Sequence, residues 1–374
     1  MATVLKNGFG LAVNRSTICR AVERVARRGE ATWHALRDAA RKYYVNTMDE
    51  TGWRVEAQLQ WLWVVANDVV TFCDILPGRG FEEAASILGA EYDGFLVRDG
   101  WRVYLKFVKA AHQSCAGHLI NRCKKMLEIA SPAAARFPQA VKEIFEQALD
   151  LRDRYQGKEI SWHGLLTATG RLEEKLDRLL LRNHRDPANR RLVNHLWRER
   201  PYLFTFLYCP GLDATNHRAE RAVKALIGAR KNWGGNRTWK GARAQAVLTS
   251  VMQTGKQQGK DPFQLLLELF CSGEPGKVLD LVPGRTPTPA AGATREPAAK
   301  DEDRHRTTAE PGPERPTGWG TPRREKARPP TPRQIPAGAA CARPPSRAAS
   351  TLPNKGSLVL PAATAGNAGV SVQP

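Results

Sequence analysis

Between residues 43 and 75 the chain alternates short runs rich in Val, Trp, Tyr and Phe with polar breaks, and this stretch limits the fold more than any other. The runs cover 43–49, 53–55, 61–66 and 69–75, separated by Glu50-Thr51-Gly52, by 56–60 and by Asn67-Asp68. β-Branched and aromatic residues bounded by turn formers predict an antiparallel three-stranded meander. Residues 81–88 then carry helical spacing, and 94–98 (Gly-Phe-Leu-Val-Arg) read as a buried strand that delivers Asp99 at its end. Strands, a helix and another strand in that order describe a mixed α/β fold, with helices packed against a central sheet.

The flanks read as helical. Within residues 1–42, Ser16 is the expected N-cap of a helix carrying Ile18, Val22, Val25 and Ala26, and a second helix is expected from about 31 to 43. From about 111 to 200 nearly everything reads as helix: Leu165, Leu172, Leu176, Leu179 and Leu180 recur at helical intervals beside a charged face of Glu173, Glu174, Lys175, Asp177 and Arg178. Pro201 and Pro210 close this block. Further helices are expected around Glu220, Val223, Leu226 and Ile227, over about 242–257, and after Asp261-Pro262. After Gly273 the composition changes: 18 of the 25 prolines lie there, among Ala, Gly, Thr and Arg. Such a segment buries too little apolar surface to offset its ordering entropy and is expected to be disordered. It also has the composition of GC-rich DNA read past a natural stop.

Charge points to a partner. Lys and Arg number 57 against 37 Asp and Glu, a formal +20. The segment after residue 273 holds 15 basic and 9 acidic residues, so the first 273 residues hold 42 against 28, or +14, and the excess belongs to the folded part. A polyanion, nucleic acid first, is the expected partner. No apolar run approaches the ~18 residues of a membrane span, and no charged-then-apolar leader opens the chain, so a cytoplasmic location and no membrane partner are expected. The seven cysteines are scattered without a Cys-x-x-Cys pair, which signals neither a disulfide framework nor a standard zinc module.

Asp49 and Asp99 are each expected at the end of an apolar strand. Singly, such an Asp beside a glycine is a turn residue. Two of them on neighbouring strands repel each other unless a cation sits between them, and oxygen-only ligands suit magnesium or manganese. Glu220 lies in a helix among Arg218, Arg221, Lys224, Arg230 and Lys231. It could form local ion pairs only; alternatively, a metal-held phosphodiester needs both a carboxylate for the cation and cations for the phosphates. Two strand-end aspartates and a helix-borne glutamate on a mixed sheet make a plausible two-metal site. Cys115 and His118 have ligand chemistry, but Cys-x-x-His without a second pair is poor evidence for zinc.

Five stretches in this order resemble bacterial insertion-sequence transposases of the IS66 family: Asp49-Glu-Thr-Gly-Trp-Arg-Val, Leu-Val-Arg-Asp99-Gly-Trp-Arg-Val-Tyr, Cys115-Ala-Gly-His118-Leu, Asp213-Ala-Thr-Asn216-His-Arg-Ala-Glu220-Arg-Ala and Arg230-Lys-Asn-Trp-Gly-Gly-Asn-Arg. The resemblance spans about 14–270. It implies an Asp-Asp-Glu enzyme with a ribonuclease-H-like core, in which Asp49, Asp99 and Glu220 are the catalytic and metal-binding triad and two Mg²⁺ or Mn²⁺ ions are the cofactors. Cys115, His118 and Asn216 are motif residues; His217 departs from the pattern, which usually has a second Asn there. Family members carry more sequence upstream, so the resemblance implies an N-terminally truncated chain.

The implied division is 1–42, a partial helix-turn-helix-like region; 43–110, the first part of the core; 111–210, a helical insertion; 211–271, the glutamate helix and last core helices; and 272–374, the disordered tail. Expected DNA contacts are Arg15, Ser16, Thr17 and Arg20 on an N-terminal reading helix, with Arg221, Arg230, Lys231, Trp233, Asn236, Arg237 and Lys240, where cations meet phosphates and indoles stack on unpaired bases. The implied activity is metal-dependent nicking at element ends and strand transfer into target DNA, by a nucleoid-associated homo-oligomer with possible companion proteins from the same element. The alternatives are an inactive DNA-binding remnant and a structure-selective nuclease on the same core.

Overall fold

The computed structural model describes residues 2–272 and 276–282. Five strands form one sheet: β1 (Val45–Val55), β2 (Gln58–Ala66), β3 (Thr71–Leu76), β4 (Phe95–Arg98) and β5 (Ala111–Ser114), in the order β3-β2-β1-β4-β5. The first three form the expected antiparallel meander; β4 runs parallel to β1, and β5 parallel to β4. The helices are α1 (Ala2–Phe9), α2 (Arg15–Lys42), α3 (Phe81–Leu88), α4 (Ala116–Ile129), α5 (Pro132–Gln156), α6 (Trp162–Leu180), α7 (Pro187–Glu199), α8 (Thr205–Tyr208), α9 (His217–Trp233), α10 (Trp239–Gln257) and α11 (Pro262–Cys271).

Alternation along the strands sorts side chains into two layers. Met48, Trp63, Val65, Phe72 and Leu96 face α2, α3, α10 and α11. Trp53, Val55, Leu62, Val64, Cys73 and Ile75 face α9, while Phe95 and Val97 join the block built by α4 to α8. The result is a mixed α/β layering with helices on both sheet faces.

Several expectations are corrected. β1 is not broken at Glu50-Thr51-Gly52: β2 matches it along its length, from Thr47 opposite Ala66 to Val55 opposite Gln58. Asp49 therefore lies inside a strand, not at its end. The reversal falls instead at Glu56 and Ala57, both left-handed (φ 54° and 63°), as a tight two-residue hairpin requires. The 111–200 segment is not wholly helical, because Ala111–Ser114 completes the sheet.

Residues 15–42 form one 28-residue helix where two were expected, preceded by α1, and its cap is Asn14, whose Oδ1 accepts from Thr17 N at 2.8 Å; Ser16 lies within the helix. Gly29 does not end that helix. A Cβ there would lie 3.1 Å from Val247 and 3.2 Å from Leu269, so the glycine permits close approach of α10 and α11. The expected tail from 272 starts too early: Leu279 and Leu281 are buried in the core, and Leu279 N donates to Thr32 Oγ1 at 2.9 Å. The rest of that tail lies outside the described residues.

The sheet edges are covered. On β3, Cys73 N donates to Ser250 Oγ at 2.9 Å, and Thr71 N to Thr254 Oγ1 at 3.1 Å; Thr254 Oγ1 returns a bond to Thr71 O at 2.9 Å. Two hydroxyls of α10 thus occupy edge peptide groups that would otherwise invite another strand. Each such bond contributes about 1 kcal/mol net, and orphaning a buried donor costs more. The double variant Ser250→Ala/Thr254→Val is expected to lose about 2–3 kcal/mol in chemical denaturation. A loss below about 0.5 kcal/mol would contradict this edge-capping role.

Candidate active site

Parallel pairing of β1 with β4 sets the first part of the site. Val45, Asn46 and Thr47 stand opposite Phe95, Leu96 and Val97, and that register continued by two residues brings Asp99 level with Asp49. Asp49 points to the α9 face, the same side as Trp53. Its neighbour Glu50 points the other way and is held by Arg79 (Nη2 to Oε1 2.6 Å) and by the Tyr104 hydroxyl. Burial, followed by the charges of Glu50 and Asp99, raises the Asp49 carboxyl to about 7; the bond it accepts from Glu50 N and the charge of His118 act against this. Burial likewise raises Glu50, with Tyr104 and Arg79 opposing.

Asp99 does have a turn role, since its Oδ1 accepts from Trp101 N at 2.8 Å. The loop it opens is gripped by the helical block, through residues that the sequence analysis missed. Arg98, fully buried at the end of β4, donates to Glu199 Oε2 at 2.5 Å, and Ser114 Oγ donates to the same oxygen at 2.6 Å. Arg198 reaches Gly100 O at 3.3 Å, and the His195 ring packs so closely that a Cβ on Gly100 would come within 2.2 Å of it. Burial, the largest cause, lowers His195 to about 4. No spacing rule links Arg98 to Glu199, 101 residues apart; an arginine ending an otherwise apolar buried strand was the one available signal.

Glu220 arrives on the first turn of α9. Buried Asn216, which precedes that helix, donates from Nδ2 to Met48 O at 2.9 Å, and its backbone N–H donates to Cys115 Sγ at 3.2 Å. Ala116 N donates to Ala214 O at 2.9 Å. The start of α9 is thereby stitched to β1 beside Asp49 and to the start of α4. One turn into α4, His118 Nδ1 lies 3.3 Å from Glu220 Oε1. Its hydrogen bond to Cys115 is the largest influence raising the imidazole to about 9; burial opposes, and the charges of Cys115, Glu220 and Asp99 add to the rise. Cys115, His118 and Glu220 offer ligand atoms that all lie within 4.8 Å of one another. His217 turns aside, with Nδ1 3.1 Å from Thr215 Oγ1.

Among the described residues the cluster of ligand atoms within 4.8 Å is Cys115, His118 and Glu220, without Asp49 or Asp99; the β1–β4 register sets the two aspartates level with each other. Asp49 feels Asp99 and His118, and His118 feels Asp99 and Glu220. Of the three acids, only Glu220 makes a direct contact with the imidazole, at 3.3 Å; Asp49 and Asp99 act on it through charge. Two observations fit a divalent cation: Asp49 is pushed upward by burial and then by the neighbouring charges of Glu50 and Asp99, and Asn216 Oδ1 is buried with no hydrogen-bond partner among the described residues. Hard oxygen donors of this kind suit Mg²⁺ or Mn²⁺.

The expected nucleic-acid residues divide. Arg15, Ser16, Thr17 and Arg20 sit at the exposed start of α2, where the Ser16 and Thr17 hydroxyls donate to Asn14 Oδ1 and Arg20 reaches Ser16 Oγ at 3.3 Å. Arg221, Lys231, Trp233, Arg237 and Lys240 are exposed. Arg230 and Asn236 are engaged with β1: Arg230 bonds Thr51 Oγ1 and Gly52 O, and Asn236 Oδ1 accepts from Trp53 Nε1 at 2.7 Å.

A family model described as Transposase IS66 family matches residues 1–244. That match, over more than half of the chain, defines a transposase, a DNA-processing enzyme. The chain belongs to the IS66 transposase family. Membership implies DNA binding and a divalent-metal requirement. A search of curated proteins found none that matches. Among the described residues no helix is long and apolar enough to cross a membrane.

The raised Asp49 carboxyl has a measurable consequence. Between its ordinary value of 3.8 and about 7 the folded protein binds more protons at this group than the unfolded chain does. Stability therefore falls as pH rises through that window and levels off above it. In chelator, thermal melts of Asp49→Asn are expected to show a shallower decline than the native chain, the remaining slope coming from Glu50 and Asp74, which burial also raises. An unchanged slope would contradict the assignment.

Proposed function

We propose that this protein is an Asp-Asp-Glu transposase core that nicks the ends of its element and joins the freed 3′-hydroxyl to target DNA. The observation that supports the reading is the β1–β4 register, which sets Asp99 level with Asp49, together with the tie of Asn216 to Met48 O, which brings the start of α9 and Glu220 up to the same strand. The sheet order, with an antiparallel meander followed by two parallel strands, supports a ribonuclease-H-like core. Asp49, Asp99, Glu220 and the unpartnered Asn216 Oδ1 are the oxygens that would hold two Mg²⁺ or Mn²⁺ ions. Bound there, such ions activate the attacking oxygen and stabilise the leaving one.

The chain's own groups prepare this. Asp49, its carboxyl raised chiefly by burial, would lose its proton on binding a cation. Asn216 fixes the start of α9 against Met48 O, and His118 orients the Glu220 carboxylate from the side. The loop of Asp99 is held by Glu199 through Arg98 and by Arg198 through Gly100 O. Exposed Arg221, Lys231, Arg237 and Lys240 neutralise flanking phosphates. Such neutralisation weakens with salt, and the family's DNA ends bring two copies together, so a homo-oligomer is the working form.

Asp49→Asn, Asp99→Asn and Glu220→Gln are each expected to reduce Mg²⁺-dependent cleavage of element-end DNA to background while leaving the thermal transition cooperative. His118→Ala is expected to lose about 10–100-fold, as outer groups that orient metal ligands do. Undiminished cleavage in any acid variant would refute the triad. Cleavage of branched DNA without joining would mark a structure-selective nuclease, and end binding without cleavage an inactive remnant.

A further inference from the structure

At the hairpin end of β1, away from Asp49, lies an open cleft of about 390 Å³, lined among others by Arg54, Glu56, Trp233, Gly235, Asn236 and Arg237. Its floor is fixed. Asn236 N donates to Arg54 O at 2.8 Å, Glu56 N donates to Asn236 O at 3.0 Å, and the Asn236 side chain is tied to the Trp53 indole. Gly235 sits at φ 130°, and a Cβ there would lie 2.3 Å from Arg54 O, so the turn can close on the hairpin only with glycine. Trp233 forms one wall and remains 56% exposed at the end of α9. Its ring makes no aromatic or cation contact among the described residues, whereas the neighbouring Trp53 is wholly buried. Arg54 and Arg237 stand exposed at the rim, and Glu56 offsets only one of them.

A large apolar ring left exposed in a cleft that two arginines also line, on a hydrogen-bonded floor, is a composition that binds single-stranded nucleic acid by stacking. We propose that this cleft captures one unpaired nucleobase of the DNA end on the face of Trp233, with the adjoining phosphates on Arg54 and Arg237. A volume near the lower bound of small-molecule pockets, about 300 Å³, takes one base and not a base pair. The proposal rests on the transposase reading, because β1 carries both sites. Arg54 follows Asp49 by five residues of extended strand, about 17 Å.

The test uses the full chain in chelator, so that no cleavage intervenes. The probes are a duplex oligonucleotide with a five-nucleotide single-stranded overhang carrying 2-aminopurine and the same oligonucleotide fully paired. The native protein is expected to prefer the overhang and to quench its fluorescence. Trp233→Ala is expected to lose about 5- to 100-fold in overhang affinity together with the quench, with less than about a twofold change on the paired duplex. Trp233→Phe should retain most of both, and Gly235→Ala, which displaces the floor, should weaken the overhang only. Unchanged overhang binding by Trp233→Ala, or an equal loss on both probes, would overturn the proposal. Cleavage of the same DNA by the native chain in Mg²⁺ is read separately: quenching without cleavage keeps the cleft and rejects the triad, and cleavage without quenching does the reverse.

Discussion

One side chain holds the arrangement together. Asn216 joins β1, α4 and α9 at a single buried point, its amide on Met48 O and its backbone N–H on Cys115 Sγ. The start of α9, with Glu220 on its first turn, is fixed by that stitch, while Arg230 and the packing of Ala222, Val223 and Leu226 hold the rest of the helix on the sheet. Loop-closure entropy rises only slowly with length, by about 0.6 kcal/mol for each doubling. A few well-made bonds at the base can therefore carry the long helical excursion of α4 to α8 between the sheet and the glutamate helix. Cys115 and His118 belong to the same junction. The sulfur anchors the entry to α9, and the imidazole meets the carboxylate one turn later.

The helical block is more than an excursion. Arg98 and Glu199 form a fully buried ion pair, with Ser114 sharing the carboxylate and the Tyr202 ring 5.3 Å from the guanidinium. Such pairs give little net stability, because desolvation offsets most of the attraction, yet losing one partner costs about 3–5 kcal/mol. The pair's position is informative: Arg98 immediately precedes Asp99, so the end of α7 bears directly on the loop that presents the second acid. The acidic centre and the insertion are in that sense one mechanical unit.

Residues whose role is local were legible in the sequence. The meander, Phe81–Leu88, the glutamate helix and α11 behind Asp261-Pro262 follow from periodicity and capping, which act over a few residues. What escaped depends on distant partners. β1 runs through Gly52 because β2 pairs with it all the way, and α2 runs through Gly29 because α10 and α11 need the room. The four residues of β5 carry no alternating signal and become a strand only beside β4. Arg230 and Asn236 look like surface groups until the hairpin end of β1 is seen to use them. For the centre itself, the three acids are an expectation from their contexts and from the family resemblance. Glu199, His195 and the geometry of Asn216 were not legible, since partners roughly a hundred residues away leave no local pattern.

The central claim, that three carboxylates from β1, the β4 loop and α9 together hold divalent ions, is tested most directly by anomalous diffraction from crystals of the full chain soaked in Mn²⁺. The account predicts anomalous peaks within coordination distance of carboxylate oxygens of Asp49, Asp99 and Glu220. Peaks confined to Cys115, His118 and Glu220, or an acidic centre that stays empty at saturating Mn²⁺, would contradict it.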